Sequence, residues 1–320
     1  MSQFPRAWRR TPLSLQPERK TTPKTSPVQW LPARFRRKML DLGWLWTKIV
    51  RDMTKQLTDT QVTAYHRDGF VYPVPVMSAE ESWSYRARLE AFEGAHPDYM
   101  KGMKRQKLHL VTTWMAELVR RPEILDAVED LLGPDLLCWQ TSLFIKEAQD
   151  PGFVSWHQDG NYWGLSCHEV VTAWIALSPS TVESGCMKMM PGSHEWDGVE
   201  HEDTFDEDNL LTRGQVMKRK IDEEATSNVV LQPGSISLHH VNIAHASAPN
   251  YSDDRRIGVA MRYVTPRVRQ VTGVADSATL VRGKYNADAF ELEPAPAFDF
   301  EPGAVALHDR VTNTRSGFIY

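Results

Sequence analysis

Cysteine is scarce in this chain: three in 320 residues, Cys138, Cys167 and Cys186, with no short paired spacing. That argues against a disulfide framework and a structural zinc site and favours a reducing compartment, with the thiols as core filler. Long apolar runs are missing too. The stretch from Met39 to Val50 (MLDLGWLWTKIV) is too short, and too interrupted by Asp41 and Lys48, to span a bilayer, so a soluble protein is expected. The patterns G-x-S-x-G, G-x-G-x-x-G and the P-loop do not occur, which removes support for a serine hydrolase, a dinucleotide-binding unit or a phosphate-cradling loop. No internal repeat is visible. What is there, 41% hydrophobic and 24% charged residues, suits a sizeable globular core.

The net charge of -4 hides an asymmetry. Residues 1–52 carry twelve Lys or Arg against three Asp or Glu, a balance of +9, so the remainder carries -13. The opening stretch "RAWRRTPLSLQPERKTTPKTSP" is expected to be disordered to about Pro32. An organelle transit peptide, an anion-binding tail and an upstream extension of a domain starting at Met53 are three readings of it, and the third is favoured. A cytoplasmic protein follows from the favoured reading. Nucleic-acid contact through the tail is not expected, and deleting residues 1–52 tests it.

From Met53 the chain reads as a domain beginning. Thr58 is placed to cap a short helix through Tyr65 that stops near Gly69, ahead of a strand from Phe70 to Val74. Ser78, with Glu81 three residues on, reads as a capping box before an amphipathic helix ending near Gly94. A further helix starts at Pro122 and stops at Gly133. After Leu136 come short β-rich runs such as "LCWQTSLFIKEA", "VVTAWIALSPS" and "RRIGVAMRYVTP", bounded by turn residues. The expectation is mainly β with flanking helices (α+β): a jelly roll or barrel in residues 53–320. An acid-rich segment without strand alternation, near 194–228, reads as an inserted lid or loop.

Chemistry enters at "SWHQDGNYW". On a strand, His157 and Asp159 would share a face. A third ligand should come from a late strand, and His239, His240 and His245 are available. Arg256 stands eleven residues after His245, and that pairing selects His245. Two imidazoles and a carboxylate on one face of an octahedral metal leave three positions open, the arrangement of non-haem Fe(II) oxygenases. Two of those positions suit a bidentate 2-oxo acid and one suits dioxygen. The acid's far carboxylate wants a planar, always-charged fork, which Arg256 offers; neighbouring Arg255 would face the other side of its strand.

The blocks "WHQDGNYW", "VVTAWIALSPSTVESGCMKMMPGSH", "LQPGSISLHH" and "HASAPNYSDDRR" resemble, in order and spacing, those of the phytanoyl-CoA dioxygenase-like family of Fe(II)/2-oxoglutarate oxygenases, from about Leu57 to Val268. The resemblance implies a double-stranded β-helix, a cupin-like jelly roll. It implies metal ligation by His157, Asp159 and His245, and 2-oxoglutarate binding by Arg256 with the Ser247 hydroxyl. Trp174 is either a wall of that pocket or a core tryptophan. Gln140 and Lys107 are implied as polar contacts to cosubstrate or substrate. Halogenating relatives carry a small residue in place of the carboxylate; Asp159 is kept here, so the expected reaction is hydroxylation, or a related desaturation or ring closure. Implied cofactors are Fe(II), 2-oxoglutarate and O2, with ascorbate as an auxiliary reductant, and the implied partner is a small-molecule substrate. Tyr162, Trp163 and Leu165 would either rim the substrate entrance or pack beneath the lid. Two alternatives stand beside this reading. One is a cupin-like metal enzyme that does not use 2-oxoglutarate, and the other is a silent β-helix protein that binds a ligand through its aromatic rim. Neither the primary substrate nor the oligomeric state is named by the sequence.

Overall fold

The computed structural model describes residues 55–211 and 213–316. The reading of residues 1–52 as a disordered extension lies outside the described residues.

Helix α1 (Asp59–Asp68) begins where Thr58 accepts from the Gln61 amide while the Gln61 side chain reaches back to Thr58. It ends on Gly69 at φ 85°, a left-handed conformation that glycine adopts without penalty. Strand β1 (Phe70–Pro75) follows, then helix α2 (Ala79–Ala95). The capping box expected at Ser78 is half made: Ser78 accepts from the Glu81 amide, but the Glu81 carboxylate turns to Arg121 instead of back to the cap. Helices α3 (Thr113–Leu118) and α4 (Pro122–Leu132) complete the N-terminal layer.

The β-core runs β2 (Leu136–Lys146), β3 (Val154–His157), β4 (Val170–Ala176), β5 (Met187–Met189), β6 (His201–Asp203), β7 (Gln215–Met217), β8 (Ser227–Val229), β9 (Ser235–His240), β10 (His245–Ser247), β11 (Arg256–Val264), β12 (Ser277–Arg282) and β13 (Glu291–Leu292). Helix α5 (Pro302–Ser316) ends the described chain; the sequence reading passes over it and over α3, which is only six residues long. The larger sheet has the order β1-β9-β4-β11-β2-β12-β13 and the smaller β3-β10-β5-β8, antiparallel throughout except for β12 with β13. This is the expected jelly roll.

Side-chain parity places the site. On β11 the odd positions, Ile257, Val259, Met261 and Tyr263, join Leu118, Ile124 and the other helix residues in one apolar cluster. The even positions face the smaller sheet, where Ala260 packs with Trp174, Met187 and Met189. Every residue of β11 and β4 is buried, as expected for strands covered on both faces. Even-numbered residues of these strands are therefore the ones available to the interior.

One expectation is corrected here. Residues 194–228 are not free of strands: β6 and β7 form a two-stranded antiparallel ribbon, His201 opposite Met217. Strands of three residues are too short for alternation to show in the sequence. Among the described residues, no helix is long and apolar enough to cross a membrane.

Candidate active site

Strand β3 ends at His157, and its antiparallel partner β10 begins at His245 directly opposite. The two imidazole centroids are 4.1 Å apart. His157 Nδ1 lies 2.8 Å from the Ser155 carbonyl and His245 Nδ1 lies 3.0 Å from the Ile243 carbonyl. A carbonyl only accepts, so each Nδ1 carries its proton and each Nε2 presents a lone pair.

Asp159 is not on the strand, as the two-residue spacing suggests, but opens a 3-10 turn, Asp159–Asn161. The Gly160 amide donates to the Val241 carbonyl at 2.9 Å, and a Cβ on Gly160 would sit 2.1 Å from Asn242 Oδ1. That close approach pins the turn against the β9–β10 connection, and Asp159 Oδ1 comes within 3.4 Å of His157 Nε2. One ligand atom from each of His157, Asp159 and His245 lies within 4.8 Å of the others, and all three residues are buried.

The charge states suit a cation. Burial, helped by the neighbouring His157, pushes His245 down to about 4, so it is neutral at ordinary pH. Burial alone would raise Asp159, but the His157, His245 and Arg262 side chains around it outweigh burial and hold the carboxyl well below the usual range. Two imidazoles and one carboxylate fit a first-row divalent metal better than the all-oxygen sets of magnesium or calcium.

The three ligand candidates open into one cavity. Arg256, Ser247 and Trp174 also line it. Arg256 is 1% exposed, and its Nη1 donates to the Gly185 carbonyl at 2.8 Å. Its guanidinium carbon stands 5.5 Å from the Trp174 ring centre. Burial draws it down to about 10, which leaves it charged at neutral pH. Arg255, one residue earlier, points outward and pairs with Glu93 and Glu147. Lys146, directly across the sheet from Arg256, is fully buried and donates to Ser247 Oγ at 2.8 Å. Burial, with the Arg256 charge, depresses it to about 7.

The Trp174 ring occupies the space over Gly258: a Cβ there would fall 1.8 Å from its Cζ2. Gly258→Ala is therefore expected to displace the ring and to cost about 1–3 kcal/mol as an overpacked core. A thermal melt lowered by several degrees, with changed tryptophan fluorescence, checks this; an unchanged melt removes the steric account.

Other candidates divide. Gln140 lines the cavity across the sheet from Arg262, its amide donating to Gln106. Tyr162 and Trp163 also line it, whereas Leu165 does not: it packs with the Trp139 and Trp163 cluster and bridges to Gln270. Lys107 is likewise not brought to the cavity. Its ammonium is fully buried against Glu293 and donates to the Ser277 carbonyl at 2.8 Å, so a cosubstrate contact is ruled out by geometry. His239 lines the cavity with its ring 5.4 Å from that of His245, while His240 lies by His194 and His168.

The Lys107 cluster predicts a pH response. Burial pushes His109, beside Glu293, down to about 4 from 6.5. A folded-state value below the unfolded one stabilises the protein fully above about 6.5, and this contribution fades as pH falls toward 4. Glu293, held below the carboxylate range because Lys107 outweighs burial, adds a loss only at lower pH. Urea denaturation between pH 7 and 5 should show stability falling, and His109→Gln should flatten the slope by up to about 1.4 kcal/mol per pH unit. An unchanged slope would exclude His109 as a source.

Missed from the sequence were Arg262, Trp139, Ser142 and the Leu210–Leu211 pair, which all line the cavity. Arg262 was readable by parity, being six residues after Arg256 on the same strand face.

The phytanoyl-CoA dioxygenase (PhyH) family model matches residues 65–258. Among curated proteins, a probable alpha-ketoglutarate-dependent hypophosphite dioxygenase of Stutzerimonas stutzeri is 26% identical over 168 residues, 52% of this chain and 58% of that protein. An L-proline trans-4-hydroxylase of Streptomyces griseoviridis is 26% identical over 165 residues, 46% of this chain and 62% of that protein. The chain thus spans under two thirds of the length of these relatives. Among solved structures, the non-heme monooxygenase ThoJ in its apo form superposes with a TM-score of 0.73 at 36% identity, covering 81% of this chain and 97% of that one. With the match running from within α1 to the start of β11 and taking in His157, Asp159 and His245, the chain belongs to the phytanoyl-CoA dioxygenase family.

Proposed function

We propose that the protein is a non-haem Fe(II)/2-oxoglutarate-dependent dioxygenase that hydroxylates an unactivated C–H bond of a small organic molecule. The observation that carries this is that the His157, Asp159 and His245 cluster and the buried Arg256 open into one cavity. In this reading His157, Asp159 and His245 hold the metal. Arg256 and Ser247 take the far carboxylate of 2-oxoglutarate, Lys146 orients the Ser247 hydroxyl, and Trp174 walls the pocket. Bound Fe(II) supplies dioxygen activation coupled to conversion of 2-oxoglutarate to succinate and CO2. The chain's own part is to orient the two small molecules and keep water from the open face, with Tyr162, Trp163 and Gln140 on the substrate side. The retained Asp159 speaks against halogenation. Relatives named for L-proline and hypophosphite support a small substrate.

The test is an anaerobic titration of metal-free protein with Fe(II) and then 2-oxoglutarate, followed by visible absorption. A weak metal-to-ligand charge-transfer band is expected on adding the keto acid. Iron bound without a band would sink the 2-oxoglutarate assignment and favour a cupin-like enzyme that binds substrate directly.

A further inference from the structure

Two buried cations lie side by side in the wall that carries Ser247. Lys146 and Arg256 are register partners on β2 and β11, 0% and 1% exposed, and register partners project to the same face of a sheet. Among the described residues neither forms an ion pair. The Lys146 ammonium donates to Ser247 Oγ at 2.8 Å and to the Ala248 carbonyl, and the Arg256 guanidinium donates to the Gly185 carbonyl. Arg256 Nε is buried with no partner at all. Buried charges are ordinarily paired, because desolvating one without a counter-charge is costly. Two together without a carboxylate mark a place that an anion completes.

The hydrogen bonds around Ser247 point the same way. An ammonium only donates, so Ser247 Oγ offers a lone pair to Lys146 and turns its own O–H elsewhere, and no described residue accepts it. Ser247 lines the cavity and Lys146 does not. The lysine therefore reaches the cavity through the hydroxyl, fixing it as a donor beside the Arg256 fork. Around the ammonium, the charged and titratable groups are Arg256, Asp150 in the β2–β3 connection and Cys186 ahead of β5. The Asp150 carboxylate accepts from the Glu147 and Gly152 amides, and burial pushes the Cys186 thiol up. Burial and the Arg256 charge together bring Lys146 to about 7, so without an anion it is only partly charged near neutral pH.

Resting on the functional reading above, we infer that Lys146 is the second cation of the subsite for the far carboxylate of 2-oxoglutarate, a positioning residue that acts through Ser247 Oγ and takes a proton from solvent as the cosubstrate enters. The entering carboxylate offsets the Arg256 charge that repels the ammonium, so the bound state holds the proton more tightly than the free state. A group whose affinity for protons rises on binding favours binding at low pH, and the gain fades as pH climbs through its free value.

The protein, loaded anaerobically with Fe(II), is titrated with 2-oxoglutarate from about pH 6.5 to about pH 8.5, following the charge-transfer band. A parallel titration uses 2-oxopentanoate, which keeps the metal-binding keto acid and lacks the far carboxylate. In wild type the 2-oxoglutarate affinity should fall about tenfold across this range while that of 2-oxopentanoate stays within about threefold. Calorimetry at about pH 7.5 in two buffers of different ionisation enthalpy should show roughly half a proton or more taken up per 2-oxoglutarate, and none with 2-oxopentanoate. Lys146→Met should lose the slope and the proton uptake, binding at low pH about tenfold more weakly than wild type; Lys146→Arg should lose the slope while keeping low-pH affinity within about threefold. A flat 2-oxoglutarate profile in wild type, or no proton uptake, would overturn the inference without recourse to any variant. An equal fall for 2-oxopentanoate would assign the pH dependence to the metal centre, and a folded Lys146→Met that keeps the wild-type slope would assign it to another group; either overturns it. Absence of the band in iron-loaded wild type would strike instead at the functional reading itself.

Discussion

Asp159→Ala is expected to lower 2-oxoglutarate-dependent succinate release by at least about a hundredfold at saturating iron, beyond the 10–100-fold usual for losing a partner of a metal ligand. The physical reason is the charge inventory of the centre. The His157 and His245 rings are held in place by backbone carbonyls and bring no negative charge, so Asp159 supplies the cluster's one negative charge and its third corner. Without it, two imidazoles face a divalent cation in a buried site with nothing to neutralise it. The metal-free variant should melt within a few degrees of metal-free wild type, because Asp159 sits in a turn pinned by the Gly160 amide rather than by its own side chain. Iron content by colorimetric assay, melting temperature and succinate release together separate ligation from folding. A variant that keeps more than a tenth of the activity would remove Asp159 from the ligand set.

Arg256→Gln should act on the cosubstrate instead. Truncating one partner of a buried charge pair costs about 3–5 kcal/mol, so the KM for 2-oxoglutarate should rise by roughly two to four orders of magnitude, with a smaller change in kcat at saturation. Lys146 makes the measurement sharper. It lies across the sheet, equally buried, and its ammonium and the Arg256 guanidinium repel. Removing Arg256 relieves that repulsion, so the cosubstrate-free variant should not be greatly destabilised even as it loses affinity. An unchanged KM would leave the far carboxylate without its partner and return Arg256 to a structural role through the Gly185 carbonyl.

How much of this was legible in the sequence depends on the range of each signal. The jelly roll, the first helix cap at Thr58 and the metal candidates were readable because each rests on local pattern: turn residues around short strands, a Thr opening a short helical run that stops at Gly69, a histidine and a carboxylate two apart. The choice of Arg256 over Arg255 followed from its spacing from His245, and the structure places the two arginines on opposite faces. The turn that carries Asp159 was not readable, because what bends the chain there is contact with Val241 and Asn242, some eighty residues on. Lys107 shows the same limit. Its partner Glu293 lies far along the chain, and its own backbone is left-handed at φ 51°, a conformation that no pattern around it announces. Leu165 is drawn to an apolar cluster by Trp139 and Trp163, a tertiary choice that its position after the metal cluster does not reveal.

The two kinds of wall around the cavity differ in how freely they can be rewritten. Trp174, Arg256 and Arg262 rise from central strands whose opposite faces carry the main apolar core, so a change there disturbs folding as well as binding. Leu210 and Leu211 come from the connection between β6 and β7, outside both sheets. A lineage or an engineer can alter the shape of the accepted molecule by editing that connection while the oxidising machinery stays intact. Grafting that connection from another member of the family is thus the mildest route to a new substrate.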